Sequence, residues 1–159
     1  MTGLAEYIES QRAIIEREGF VLPKTSGSSM RPLIWGEDHC VVVVPLVGEP
    51  AVGDILMFRL ALDGRNIVHR VVAVEGEADR RVYIARGDNC LGCERVTRDQ
   101  IIGRVAEVHR LSGYRPWHVI PKKKFTVTDP AYRHYVHLWT LLWPLRRLWY
   151  HLRLRLLKH

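Results

Sequence analysis

The chain has 159 residues, enough for one domain with an appendage, and its apolar fraction of 47% is ordinary for a globular protein with a buried core. The net charge of +7 is unevenly placed: residues 1–114 hold 14 Lys and Arg against 16 Asp and Glu, whereas residues 115–159 hold ten against one. Charged residues interrupt the first twenty positions, which argues against a secretory signal peptide or membrane anchor there. Three cysteines in such a chain favour a reducing compartment, so we expect a cytoplasmic protein.

The pattern of apolar residues predicts a helix followed by several strands. Leu4, Ile8, Ile14 and Ile15 predict an amphipathic helix over about residues 3–18, ended by Gly19. Strands are predicted over 41–44, 55–62, 67–74, 82–85 and 101–108, with Asp63-Gly64 as a hairpin turn. This spacing predicts a mostly β, α+β fold: a small antiparallel β-barrel or folded sheet, with an N-terminal helix and a C-terminal basic amphipathic helix. The predicted segments are 1–22, 23–114 and 115–159.

The C-terminal segment has a different character from the rest. Residues 131–158 predict helix, rich in Trp, Leu and Arg, with Pro144 as a break or a new helix start. From Leu145 onward, apolar residues share one face, which is typical of a helix at the interface of an anionic membrane. Only 12 uncharged residues separate Arg133 from Arg146, too few for a span. We therefore expect residues 131–159 to bind an anionic surface, at the inner face of the cell membrane. Docking on the protein's own barrel or on a partner protein is the alternative, and nucleic acid is not expected.

The candidate nucleophile lies in the run Gly27-Ser28-Ser29-Met30-Arg31-Pro32. A serine attacks a carbonyl only when a base takes its proton and donors stabilise the oxyanion. Gly27 allows backbone angles that direct amides near Ser29 toward such an oxyanion, with Ser28 as part of the same support. Met30 is expected to anchor the turn in the core. Taken alone, however, this run is more typical of an ordinary loop.

Four further boxes follow the serine turn in a fixed order. They are Val52-Gly53-Asp54-Ile55, Ile67-Val68-His69-Arg70-Val71-Val72, Arg86-Gly87-Asp88-Asn89 and Ile101-Ile102-Gly103-Arg104-Val105. In this order the boxes resemble the signal peptidase I and LexA-like superfamily of serine endopeptidases, over about residues 25–108. His69 stands where bacterial signal peptidases and LexA-like proteins have a lysine. The resemblance is therefore to the Ser-His branch, which includes archaeal and endoplasmic-reticulum signal peptidases.

The resemblance implies a role for each candidate residue. Ser29 is the nucleophile, His69 the general base and Asp88 the acid that orients the histidine, with Glu94 as a second candidate acid. The implied function is a serine endopeptidase that cleaves a precursor or leader peptide, bound in extended form, without a cofactor or metal. The oxyanion would be held by the amide of Ser29 and a neighbour near Gly27. In isolation His69 is also typical of a core histidine, and Gly-Asp-Asn of a simple turn.

Two alternative functions remain open. The first is a non-catalytic relative that acts as a membrane-surface or partner-binding module. The second, less favoured, is a LexA-like self-cleaving regulator, because the roughly 25 residues before the serine turn contain no Ala-Gly pair and are too few for a DNA-binding domain. Cys90 and Cys93 form a lone CxxC that could be half a zinc site or a redox pair. With Cys40 as the only other thiol, structural or incidental thiols are the favoured interpretation.

Overall fold

The computed structural model describes most of the chain in two compact units, Met1–Val127 and Thr128–His159. The first unit includes the N-terminal helix and the last strand, which the sequence analysis had assigned to the separate segments 1–22 and 115–159. The described residues are 2–21, 23, 25–31, 33–36, 39–61, 64–111, 121–126 and 130–156.

The described elements follow the predicted order closely. Those of the first unit are α1 (Thr2–Glu18), β1 (His39–Val44), β2 (Ile55–Arg59), β3 (Asn66–Glu75), β4 (Val82–Arg86), β5 (Glu94–Val96), β6 (Ile101–Leu111) and β7 (Pro121–Thr126). Those of the second unit are α2 (Pro130–Leu141) and α3 (Trp143–Leu156). The predicted first helix, the five predicted strands and a new helix start beside Pro144 are confirmed. Strands β5 and β7 were not predicted, and Asp63 of the expected hairpin turn lies outside the described residues.

The strands form one antiparallel sheet in the order β1-β6-β2-β3-β4-β5, and β7 also pairs with β6. The mostly β, α+β class is therefore confirmed. Of the two predicted alternatives, a barrel or a folded sheet, the closed barrel is wrong, because β1 and β5 end the path without pairing to each other in the described part of the chain. Strand β5 has only three residues, and the outer edge of β1 is already paired with another segment.

The segment that covers β1 leads directly into the serine turn. Val21 exchanges both backbone hydrogen bonds with Val43 at 2.9 Å, and the N–H of Val41 donates to the carbonyl of Pro23. Further along, the N–H and the hydroxyl of Thr25 both donate to the carbonyl of His39, at 3.2 and 2.8 Å. The chain between α1 and the turn is thus fixed to the sheet edge, and this fixes where the turn begins.

The core consists of buried side chains from the sheet strands and from α1. Ile8 and Ile15 of α1 are buried, and each such side chain contributes roughly 1.5–3 kcal/mol by leaving water. Arg12 on the same helix donates to the carbonyl of Ile101 at 2.9 and 2.7 Å and to that of Arg98 at 2.8 Å. The fully buried centre of the sheet comprises Leu56, Phe58, Val71, Tyr83, Ala85, Val96 and Ile101.

Candidate active site

The serine turn has the backbone that the sequence predicts. Gly27 has a φ of +79°, a left-handed conformation that glycine adopts without steric cost. Met30 is 4% exposed, so its side chain anchors the turn in the core as expected. The N–H of Arg31 donates to the carbonyl of Ser28 at 3.2 Å, and the N–H of Ile34 donates to that of Met30 at 3.0 Å. Pro32 lies outside the described residues.

Gly36 is a structural requirement of the turn that the sequence analysis missed. Its N–H donates to the carbonyl of Gly27 at 3.1 Å. A Cβ atom at position 36 would lie 2.3 Å from the oxygen and 2.4 Å from the nitrogen of Gly27, so only glycine fits. In the sequence this glycine reads as part of a simple turn before β1. Its contact depends on the path of the chain nine residues earlier, which no local pattern records.

His69 occupies β3, opposite Leu56 of β2, and is 5% exposed. Its ring packs edge-on against the ring of Phe58, with centroids 6.3 Å apart. Its Nδ1 lies 2.8 Å from an oxygen of Glu94. An ionised carboxylate only accepts hydrogen bonds, so this contact favours the tautomer of a neutral imidazole with the proton on Nδ1 and the lone pair on Nε2. This tautomer is the one that a general base requires.

The acid hydrogen-bonded to the histidine is Glu94, which the sequence predicted as the second candidate, whereas Asp88, the first candidate, forms an ion pair with Arg70. Both carboxylate oxygens of Asp88 accept from Arg70, at 2.9 Å from Nε and 2.8 Å from Nη2, and both residues are buried. Arg70 also donates to the carbonyl of Gly53 at 3.0 Å. His69 and Arg70 are consecutive in β3, and consecutive side chains of a strand point to opposite faces. The short segment from Asp88 to the start of β5 therefore supplies an acid to each of them.

The serine turn and the histidine meet at Gly87. A Cβ atom there would lie 2.6 Å from the carbonyl oxygen of Ser29, 2.8 Å from Nε2 of His69 and 2.9 Å from Sγ of Cys90. Nε2 of His69 and the carbonyl oxygen of Ser29 thus both lie beside Gly87, while Nδ1 faces Glu94. Position 87 must be glycine because these groups occupy the space that a Cβ would need.

Hydrogen bonds join the loop after Gly87 to the serine turn. The N–H of Asn89 donates to the carbonyl of Ser29 at 2.7 Å, and its side-chain amide donates to the carbonyl of Ser28 at 3.3 Å. The N–H of Cys90 donates to the carbonyl of Gly87 at 2.9 Å, which closes the loop on itself. The Gly-Asp-Asn sequence is a turn, as its composition indicates, and it also fixes the position of Ser29.

Ser29, His69 and Glu94 line one open cleft of about 610 Å³. This volume lies within the range of small-molecule and peptide-binding clefts. Further polar residues, among them Thr25, Arg65, Asn66 and Asn89, line the cleft together with apolar ones, so the lining is mixed in polarity. The apolar lining includes Met30, Ile34, Val41, Met57, Leu60 and Ile67.

The three cysteines are free thiols in different surroundings. Cys40 is buried, Cys90 lines the cleft and Cys93 is exposed. Burial raises the pKa of the Cys90 thiol, and the negative charges of Glu94 and Asp88 raise it further. Burial also raises the pKa of Cys40. In the described part of the chain, no group of three or more His, Cys, Asp or Glu side chains is arranged to hold a metal ion.

The sequence matches no known family model, and a comparison with curated proteins finds no relative.

Proposed function

We propose that the protein is a serine endopeptidase, similar to signal peptidases, in which Ser29 is the nucleophile, His69 the general base and Glu94 the acid that orients the base. Its substrate is a precursor or leader peptide bound in extended form along the cleft. The resemblance of the ordered sequence boxes motivates the class of enzyme. The geometry around the histidine motivates the roles.

One observation carries the proposal: the two nitrogens of His69 have different neighbours. Nδ1 is 2.8 Å from an oxygen of Glu94. On the other side, a Cβ atom built on Gly87 would lie 2.8 Å from Nε2 and 2.6 Å from the carbonyl oxygen of Ser29, so both groups lie beside Gly87. A histidine that is only a core residue has no need of an acid on one side and a serine turn on the other. The same division of the two nitrogens defines the acid-base-nucleophile arrangement of serine hydrolases.

In the proposed reaction, His69 Nε2 takes the proton of the Ser29 hydroxyl as Oγ forms a bond to the carbonyl carbon of the substrate peptide. The protonated imidazole then gives that proton to the leaving amine as the C–N bond breaks. Water, deprotonated by the same nitrogen, hydrolyses the acyl-enzyme and releases Ser29. Glu94 stabilises the imidazolium that forms twice in this cycle.

We assign the oxyanion to the N–H of Ser29 and a neighbouring amide near Gly27. The carbonyl of Ser28 accepts hydrogen bonds from Arg31 and Asn89. In a trans peptide the N–H and C=O groups point in opposite directions, so the Ser29 N–H is directed away from these two donors. Removing one such oxyanion donor typically costs about 10²–10³ in rate.

Fluorophosphonate labelling of the full chain tests the proposal, because the probe forms an adduct only with an activated serine. We expect the wild type to be labelled at Ser29, as located by peptide mass spectrometry. Ser29→Ala and His69→Ala should abolish the adduct, and the matched control Ser26→Ala, an exposed serine in the same segment, should keep it. A wild type that forms no Ser29-dependent adduct would contradict the peptidase and favour a non-catalytic binding module.

A further inference from the structure

The second unit is built as one almost continuous helical segment. The N–H of Leu142 donates to the carbonyl of Leu138, and the N–H of Arg146 donates to that of Leu142, both at 3.0 Å. Helical hydrogen bonds therefore run through the junction of α2 and α3. Pro144 lies in the first turn of α3, where the missing N–H costs little.

This segment exposes an unusual number of large apolar side chains in one row. They recur every three or four residues, the spacing of a single helix face. Each of these side chains is between 44% and 67% exposed. A single exposed leucine is ordinary on a protein surface, but a continuous row of them marks an interaction surface. We call this row the leucine stripe: Leu138, Leu141, Leu142, Leu145, Leu148, Trp149 and Leu152.

The charge around the leucine stripe is of one sign. Residues 130–159 contain six Arg and Lys and no Asp or Glu. The guanidinium of Arg146 lies 3.4 Å from the ring centroid of Trp139, so one of these cations is held against an aromatic face. Trp139 also stacks on the ring of Tyr135, with centroids 5.9 Å apart. The segment combines exposed leucine with aromatic and cationic groups.

We infer that residues 130–156 form an interfacial helix that lies on an anionic lipid bilayer, with the leucine stripe inserted at the level of the headgroups. Charge decides between the possible occupants. A second copy would bring like charges together, with no acid in the segment to pair with them. An anionic bilayer provides an apolar layer for the stripe and phosphate groups for the arginines. No helix in the described residues is both long and apolar enough to cross a membrane. This inference is independent of the chemistry at Ser29.

Vesicle flotation of the full chain tests the inference. Vesicles of phosphatidylcholine with phosphatidylglycerol are compared with vesicles of phosphatidylcholine alone. The variant L145E/L148E changes the net charge by two and places both new charges on the stripe. The matched control Arg17→Glu also changes the charge by two, but at an exposed position of α1, outside the helical segment.

We expect the wild type to float with the anionic vesicles only. L145E/L148E should bind about tenfold more weakly or worse, whereas Arg17→Glu should retain most of the binding. Equal retention by both variants, or a wild type that binds neither vesicle, would overturn the inference. So would a wild type that elutes as a dimer and becomes a monomer in L145E/L148E, since that result assigns the stripe to a second copy. Thermal unfolding of each variant is measured as a control, and the first unit should unfold at the wild-type midpoint.

Discussion

Substituting each acid by its amide distinguishes the role of Glu94 at the histidine from that of Asp88 in the buried pair with Arg70. In Glu94→Gln the amide can no longer act as a pure acceptor toward His69 Nδ1, so the ring loses the charge that fixes its tautomer and stabilises the imidazolium. In Asp88→Asn the change falls instead on the buried pair with Arg70. The structure therefore predicts that one substitution affects mainly the rate and the other mainly the stability of the fold.

The magnitudes follow from burial. The side chain of Asp88 is 6% exposed and that of Arg70 is 4% exposed, so Asp88→Asn removes a buried negative charge that is paired with a buried guanidinium. Breaking such a pair costs about 3 kcal/mol or more, which lowers the melting temperature by roughly 10 °C in a chain of this size. The side chain of Glu94 is 28% exposed, so Glu94→Gln should change stability by less than about 1 kcal/mol. Its labelling rate should fall by about 10²–10⁴.

Two measurements on each variant check this contrast: the second-order rate of fluorophosphonate labelling at Ser29 and the midpoint of thermal unfolding. Glu75→Gln is the matched control, because Glu75 is an exposed acid that pairs with Arg95 at 2.8 Å. It should change neither quantity. If Asp88→Asn abolished labelling at full stability while Glu94→Gln labelled normally, the assignment of Glu94 to the histidine would be refuted.

Three further outcomes follow from the glycines and thiols. Gly87→Ala should slow fluorophosphonate labelling by about 10²-fold, because its Cβ displaces the serine turn and the histidine. The control Gly92→Ala, whose Cβ meets open space, should be labelled at the wild-type rate. Equal labelling rates for the two variants would contradict the close approach at Gly87. Gly36→Ala should lower the midpoint of thermal unfolding, with a cost of about 1–3 kcal/mol from the backbone clash, and an unchanged midpoint would contradict it. In iodoacetamide alkylation followed by peptide mass spectrometry, exposed Cys93 should react before Cys90. Because its pKa is raised, Cys90 forms thiolate only at a pH above the usual thiol range; equally fast reaction of both near neutral pH would contradict that shift.

The sequence was sufficient where the signal is local. Helix α1 and the main strands follow from apolar spacing, and the left-handed Gly27 follows from its place in the turn. The separation of roles between Asp88 and Glu94 could not be predicted, because it depends on which face of β3 each acid approaches. Strand β5, which carries Glu94, has only three residues and is too short to show an alternating pattern.

Local sequence patterns also could not predict that the sheet is open rather than closed into a barrel. Regular strand spacing is shared by barrels and open sheets, and only the pairing of the ends distinguishes them. Here Val21, Pro23 and Thr25 occupy the edge of β1 that a closing strand would need, although the sequence around them has no strand-like run.

The distance along the chain between the site residues has a consequence for the order of folding. His69 and Glu94 are 25 residues apart, and Ser28 and Asn89 are 61 apart, so the site consists of non-local contacts that form late. In a growing chain, the serine turn cannot acquire these neighbours until the segment from β3 to β5 that carries them has been synthesised. For the proposed peptidase, the serine turn is made first and the base and acid follow tens of residues later.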